Sequence, residues 1–340
     1  MRRMKRSDRG ASAVVIGICL VFLIAFAGLA VDVGALYAER TELQKGAEAA
    51  VLAIAEDCAH GTKPCDVPTA TATAEDYIAA NATDLAGALD SLDLDLVAQE
   101  VTVIDATERS DGGSIFLPFF AQVIGWEGMT VKAQAIARWG TLASYNTIPI
   151  TMSMCDIGYD PDTGTYTEGT ITVRFLDPLS SDTCPGHPGF DTDGDGSMPA
   201  GFGTLYEESD CVAYTEAYDE LTPEMWTFQN PGADFSEIRD CLTLNESYVI
   251  PVFVDYIFQT DDPCPDMRAT NGITAQADCY GIGGYVHFTV TGWRFPGNTA
   301  GSPGCGAPDS CITGTITGYS TTGEIGESFN FGVVVVELIG

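Results

Sequence analysis

Three aspartates at alternating positions are the clearest candidate for chemistry in this sequence of 340 residues. Asp191, Asp193 and Asp195 occupy positions 1, 3 and 5 of an Asp-x-Asp-x-Asp-Gly loop, and Gly196 supplies the sharp turn. Because alternating carboxylates in a tight turn converge on one hard cation, the motif predicts a Ca²⁺ site. Position 12 holds Phe202, where a calcium loop has a bidentate Glu. An acidic surface turn is therefore the alternative to a metal site.

The sequence shows no group of residues that is typical of a catalytic site. A nucleophilic serine or cysteine needs a base nearby, and the sequence contains three histidines, His60, His187 and His287. It has no Gly-x-Ser-x-Gly elbow and no Walker or Rossmann glycine loop. We therefore predict a non-enzymatic protein with no cofactor besides the candidate Ca²⁺ and no small-molecule substrate.

Ten of the eleven cysteines follow an N-terminal apolar segment that contains the eleventh, Cys19. An even number on one side of such a segment predicts a disulfide framework in an oxidising compartment. Zinc, the rival, favours CxxC pairs or Cys–His clusters, which this chain lacks. The pairing stays open, although two pairs, Cys58/Cys65 and Cys305/Cys311, could close short loops. The ten candidates are Cys58, Cys65, Cys155, Cys184, Cys211, Cys241, Cys264, Cys279, Cys305 and Cys311.

Charge is distributed unevenly. The formal net charge is −33, yet the first ten residues hold five of the 15 basic residues and one acid. The remaining 330 residues carry 10 basic and 47 acidic residues, a net of −37. Such a surface repels nucleic acid, so we predict no nucleic-acid partner.

Residues 11–31 form an uncharged apolar stretch long enough to cross a bilayer as a helix. The basic tail, residues 1–10, is expected to stay in the cytoplasm, which leaves the bulk of the chain outside the cell membrane. A cleaved secretory signal, the alternative, has a shorter apolar core. Helical periodicity continues beyond the stretch and predicts one helix over residues 11–57. Asp32 at its outer boundary is expected to be an interfacial carboxylate in contact with water.

The rest of the chain divides by composition into two parts. Residues 58–140 predict a small α+β module, with a loop over 60–69, a helix from about residue 70, a strand over 92–106, a short apolar helix or buried segment over 116–124 and a strand over 130–139. Residues 141–340 are rich in Gly, Pro, Thr, Asp and Cys and predict a β-rich external domain with strands near 170–176, 248–258, 285–293, 311–319 and 329–338. The predicted fold class is thus α+β, with a long transmembrane helix, a membrane-proximal module and a disulfide-containing β-rich domain.

Several features of the first 55 residues resemble one family. Arg9-Gly10 precedes the apolar run, residues 30–34 read Ala-Val-Asp-Val-Gly, and Leu43-Gln44 opens an alanine-rich helix. In order and spacing these resemble the N-terminal module of the TadE/TadG-like proteins of tight-adherence (Flp) pilus systems. Residues 115–140 are similar to the segment that closes this family's module, and residues 148–150, 250–256 and 285–295 resemble TadG-related proteins more loosely.

The resemblance implies a structural role in pilus assembly, priming or anchoring, and hence in surface adhesion. It implies that the helix packs beside pilins and platform proteins through small residues, namely Gly17, Ala25, Gly28, Ala30 and Gly34. Family precursors are cut after a glycine, the position of Gly10, but Val15 replaces the usual Glu, so we expect the tail to be retained. A cell-surface binding or adhesin module, calcium-dependent if the aspartate motif binds metal, is the alternative.

Overall fold

The structure is a computed structural model with two compact units, one comprising Met1–Arg138 and Glu337–Gly340 and the other Trp139–Val336. It describes residues 9–82, 87–108, 113, 115–160, 163–176, 183–186, 196–206, 210–218, 226–228, 235–257, 278–326 and 328–339.

Helix α1, Arg9–His60, dominates the first unit as one uninterrupted helix of 52 residues. At a rise of 1.5 Å per residue it is about 78 Å long. Helix α2, Val67–Asn81, packs against it. The helix predicted from about residue 70 to residue 92 was too long, since residues 87–92 belong to a strand. The predicted loop over 60–69 is shorter than expected, because Asp66 caps α2 by accepting the Thr69 amide at 2.9 Å and Pro68 is tolerated in the first turn.

Three antiparallel strands complete this unit: β1, Gly87–Asp95; β2, Glu100–Thr107; and the part of β3, Lys132–Leu142, that runs up to Arg138. The strand predicted over 92–106 was wrong, since this stretch folds as the β1–β2 hairpin. The carboxylate of Asp95 accepts the amides of Val97 and Ala98, both at 2.9 Å, and so fixes a turn within an alternating pattern. Near residue 121 a short 3-10 helix, η1, Ala121–Ile124, replaces the predicted apolar helix or buried segment.

The core of the first unit lies between α1, α2 and the inner face of the sheet. The C-terminal half of α1 contributes Leu43 and a run of small residues with fully buried side chains, and α2 contributes Ile78. From the sheet come Val101, Val103 and the alternating alanines of β3. Small residues on both surfaces let the helix approach the sheet closely.

The second unit is β-rich, as predicted. Its strands are β4, Ser144–Thr147; β5, Ile150–Ser153; β6, Gly169–Arg174; β7, Thr183–Pro185; β8, Ser197–Pro199; β9, Phe202–Thr204; β10, Ala213–Glu216; β11, Trp226–Phe228; β12, Ser247–Ile257; β13, Cys279–Phe295; β14, Asn298–Gly301; β15, Cys311–Thr317; β16, Tyr319–Thr321; β17, Ile325–Gly326; and β18, Val333–Leu338. A short helix, α3, Phe235–Cys241, lies between β11 and β12.

The largest sheet of the second unit has the order β6-β15-β13-β12-β5-β9, with β11 and β14 also paired to β13. Strand β13 is 17 residues long and is buried along most of its length. Its aromatic residues pack into one core with those of β9 and β12, where the rings of Phe253 and Tyr280 lie 5.1 Å apart. Gly203 is required at its position, because a Cβ there would lie 2.2 Å from the Tyr280 hydroxyl.

Disulfide bonds are present in both units. Four described pairs are Cys58–Cys65, Cys155–Cys184, Cys211–Cys241 and Cys305–Cys311. Cys279 is also disulfide-bonded, and Cys264 lies outside the described residues. Cys19 is free. The prediction of a disulfide-containing β-rich domain is confirmed, and both short loops carry the bridge that the spacing suggested.

Candidate functional site

The two halves of helix α1 lie in different surroundings. Every large apolar side chain from Val14 to Val33 is more than half exposed, whereas Leu43 and the buried positions that follow it are at most 7% exposed. Among the described residues, α1 is the helix long and apolar enough to cross a membrane. Its N-terminal half therefore offers an apolar surface, while its C-terminal half belongs to the core of the first unit.

Asp32 lies where these two halves meet, and its carboxylate is buried. It accepts the amide of Phe120 at 2.9 Å and 3.0 Å, through its two oxygens, and the amide of Ala121 at 2.6 Å. The residue is 4% exposed. The expectation of a carboxylate in contact with water was therefore wrong. The loop after residue 115 returns to α1 and replaces the water with two main-chain N–H groups.

Gly28, one turn earlier in α1, lies beneath the ring of Phe120. A Cβ at this position would lie 3.0 Å from Phe120 Cγ, which is closer than almost all real contacts. The glycine therefore permits the ring to approach the helix backbone, while Asp32 holds the main chain of the same residue. Gly28 is buried within the chain, which corrects the expectation that it belongs to a free packing surface for partners.

We call residues 115–129 the helix-docked loop. Its ends are joined by a two-way main-chain pairing of Phe116 with Met129, at 2.8 Å and 3.2 Å. Inside it, η1 is closed by bonds from the amides of Val123, Gly125 and Trp126. Despite this order two large apolar side chains are mostly exposed: Phe119 is 82% exposed and Val123 84%.

Further contacts hold the C-terminal half of α1 against the sheet. The Thr107 hydroxyl donates to Glu39 at 2.9 Å, and the Gln44 amide donates to the Gln134 carbonyl at 3.1 Å. Leu43 packs with Val131 and Ala133, with Leu36 and Phe116 at the edge of that cluster. The helix-docked loop is thus attached to a rigid junction of helix and sheet.

Asp105 on β2 is the second unusual carboxylate of the first unit. It is fully buried, and neither of its oxygens has a hydrogen-bond partner among the described residues. A Cβ on Gly46 of α1 would lie 3.1 Å from one of these oxygens. Burial raises the pKa of Asp105 to about 7, and the negative charge of Glu39 adds to the rise. Near neutral pH this acid is partly protonated.

The predicted site residues have different outcomes. Gly10 is the second residue of α1, and its processing stays a prediction. Asp191, Asp193 and Asp195 lie outside the described residues, so the Ca²⁺ site also stays a prediction. Among the described residues no group of three His, Cys, Asp or Glu side chains could hold a metal ion. The pairing of Asp32 with residues 120 and 121 was missed, because nothing in the local sequence links positions nearly 90 residues apart.

Residues 10–56 match the family model described as putative Flp pilus-assembly TadE/G-like. This N-terminal segment is similar to TadE/G-like proteins. The predicted family resemblance is thereby confirmed for residues 10–56, which coincide with almost the whole of α1, whereas the resemblance of the later segments stays a prediction. Neither the search of curated proteins nor that of solved structures found a significant match. The match supports a role in Flp pilus assembly and an association with the membrane and with pilus components.

Proposed function

We propose that the protein is a non-enzymatic, membrane-anchored component of a tight-adherence pilus, acting in pilus assembly, priming or anchoring and so in surface adhesion. The single observation that carries this proposal is the form of the TadE/G-like segment. It is one continuous helix whose large apolar side chains from Val14 to Val33 are exposed and whose second half is built into a folded unit. The apolar stretch and the folded unit are therefore joined by uninterrupted helix.

The orientation follows from charge. The basic residues before the apolar stretch stay on the cytoplasmic side, and the part of the chain that follows this stretch lies on the cell surface. The disulfides support this assignment, because such bonds persist in oxidising compartments. The strongly acidic composition of the external part keeps it soluble there.

Partner helices have access to the small residues of α1 that the chain itself leaves uncovered. Successive residues of a helix are rotated by about 100°, so the five small residues do not share one face. Gly17 lies on the side of Gly28, whereas Ala30 and Gly34 lie on the other side. Gly34 has no atom of another element within 4 Å of a Cβ position, and Ala30 is exposed. We propose that pilins pack against this second side, where small residues permit close approach.

Affinity purification from detergent-solubilised membranes tests the proposal. The tagged full chain should co-purify with pilins and with the pilus platform. The double substitution Ala30→Leu and Gly34→Leu should reduce the recovered pilin several-fold by blocking close approach. Val21→Leu is the matched control, since Val21 is 65% exposed on the opposite side of α1. Recovery of no pilus protein above an untagged sample would contradict the proposal.

A further inference from the structure

The helix-docked loop, residues 115–129, has an unusual composition for its chain. It contains one charged residue, Glu127, in a protein with 48 acidic residues. Its side chains at positions 115, 117, 119, 120, 123, 126 and 129 are apolar and between 38% and 84% exposed. Isolated exposed apolar residues are ordinary, but seven within fifteen residues are a concentration that is typical of an interaction surface.

The position of the loop along α1 indicates what covers this patch. Asp32 directly follows the apolar stretch of residues 11–31, and Gly28 lies three residues, or about 4.5 Å, inside its end. Because Asp32 and Gly28 contact residues 120 and 121, the loop lies at the level where α1 leaves the hydrocarbon. At this level the ring of Phe120 lies against Gly28 of α1.

The loop is also prepared for a medium of low polarity. Main-chain N–H groups without partners are costly at a membrane, so inserted segments satisfy them internally. Here Phe116 and Met129 bond each other, and η1 closes its own turn. The amides of Phe120 and Ala121, at the N-cap and first residue of η1, donate to the buried carboxylate of Asp32. Pro118 has no N–H to satisfy.

We propose that the helix-docked loop inserts into the membrane leaflet that adjoins the first unit, as a second, interfacial anchor beside α1. Phe119 and Val123 enter the acyl-chain region, and Trp126 lies at the headgroup level, where tryptophan is enriched. The second contact prevents the first unit from tilting freely about α1. This inference rests on α1 spanning the bilayer, as the proposed function requires.

Site-specific photo-crosslinking in the full-length protein tests the insertion. A benzophenone amino acid replaces one residue at a time in protein reconstituted into phosphatidylethanolamine–phosphatidylglycerol vesicles. Position 119 probes the loop, and position 22 in the middle of the apolar stretch reports on the anchor. Position 97 is the control, because Val97 is 96% exposed in the β1–β2 turn of the same unit. Adducts with the mass of one lipid are measured after irradiation.

Lipid adducts at positions 22 and 119 that exceed those at position 97 at least about fivefold support the insertion. Adducts at position 22 with only the background level at position 119 overturn it and leave the anchor intact. Crosslinks from position 119 to a second copy or to a pilin also overturn it, because protein then covers the patch. Without adducts at position 22, α1 does not span the bilayer and both proposals fail.

A second measurement avoids the substitution at position 119. Lipids brominated along the acyl chain quench nearby tryptophans, and the chain contains four of them, at positions 126, 139, 226 and 293. Trp139 and Trp293 are 5% and 7% exposed. Insertion predicts that Trp126→Phe removes at least about half of the quenching seen in the original protein. Unchanged quenching in that variant would overturn the proposal.

Discussion

The carboxylate of Asp32 lies 2.6 Å from the amide nitrogen of Ala121, 89 residues further along the chain. With the bonds to the Phe120 amide, this contact joins the end of the apolar stretch to a loop of the folded unit. Hydrogen bonds to a charged acceptor each contribute about 1.5–3 kcal/mol to stability. These hydrogen bonds fix the position along α1 at which the helix-docked loop is attached.

Asp32→Ala should therefore release the helix-docked loop while leaving the sheet intact. Main-chain amides of residues 115–129 should exchange hydrogen for deuterium at least about tenfold faster, equivalent to a loss of about 1.4 kcal/mol or more. Exchange within β2 should be unchanged. Mass spectrometry of the full chain in nanodiscs measures both regions.

The matched control for Asp32→Ala is Asp93→Ala, which removes an exposed carboxylate from the same unit. It should leave exchange in the loop as it is in the original protein. Equal exchange in the loop after either substitution would show that the contact of Asp32 with the Phe120 and Ala121 amides contributes nothing.

Gly28 and Gly17 give a second matched pair in α1. Gly28→Leu should displace the ring of Phe120, since even a Cβ would lie 3.0 Å from its Cγ. Gly17→Leu adds a side chain where nothing lies within 4 Å. We expect Gly28→Leu to lower the free energy that holds the loop on α1 by about 1–3 kcal/mol, and Gly17→Leu to leave it almost unchanged. The rate of proteolysis within residues 115–129 in nanodiscs measures it, and similar rates for both variants would refute the close approach.

Asp105 predicts a pH dependence with a definite sign. An unfolded Asp has a pKa near 3.9, and burial raises the pKa of Asp105 to about 7 in the folded protein. Between these values the folded state holds a proton that the unfolded state has released. The contribution of Asp105 to the free energy of unfolding therefore falls as pH rises from about 4 to about 7. Above that range the ionised carboxylate lowers the free energy of unfolding by on the order of 2–4 kcal/mol.

Asp105→Asn should remove this dependence, because the amide carries no charge at any pH. Melting temperatures of the variant and the original protein in detergent should agree near pH 4 and diverge towards pH 8, with the variant more stable. Asp93→Asn, with its exposed carboxylate, serves as the control and should show no such divergence. Parallel melting curves for Asp105→Asn across the range would contradict the burial of an ionisable group at this position.

Disulfide removal should depend on the length of the loop that each bond closes. Cys155 and Cys184 are 29 residues apart, whereas Cys305 and Cys311 are 6 apart. In the chain-entropy account the first bond contributes about 3.6 kcal/mol and the second about 2.2 kcal/mol. Double Cys→Ser variants of the full chain, compared by thermal unfolding in detergent, should rank in this order. The reverse order would mean that packing around the cysteines outweighs loop entropy.

Local patterns predicted much of this fold. Apolar length and helical periodicity predicted α1, and alternating residues predicted β3 and the main strands of the second unit. Alternation did not reveal the turn between β1 and β2, because the bonds that make it come from the Asp95 side chain and leave the pattern unbroken. Predicting burial of the apolar residues at 116–124 was reasonable for a soluble domain, but it neglected that a membrane beside the unit can cover them.

The long-range contacts could not be predicted from the sequence. Asp32 resembles any polar residue at the end of a membrane helix, and its partners are main-chain amides, which carry no residue-specific signal. Gly28 was expected to serve a partner helix, whereas it accommodates Phe120 of its own chain. The aspartate motif at 191–195 lies outside the described residues. A Ca²⁺ site and an acidic surface turn therefore both stay open as interpretations of it.

Loss and restoration of pili tests the central claim most directly. Pili on the source organism are counted by electron microscopy after deletion of the gene and after complementation with the full-length chain. Membership of the pilus assembly machinery predicts that deletion removes or strongly reduces pili and that the full-length chain restores them. Normal piliation in the deletion strain would contradict the account.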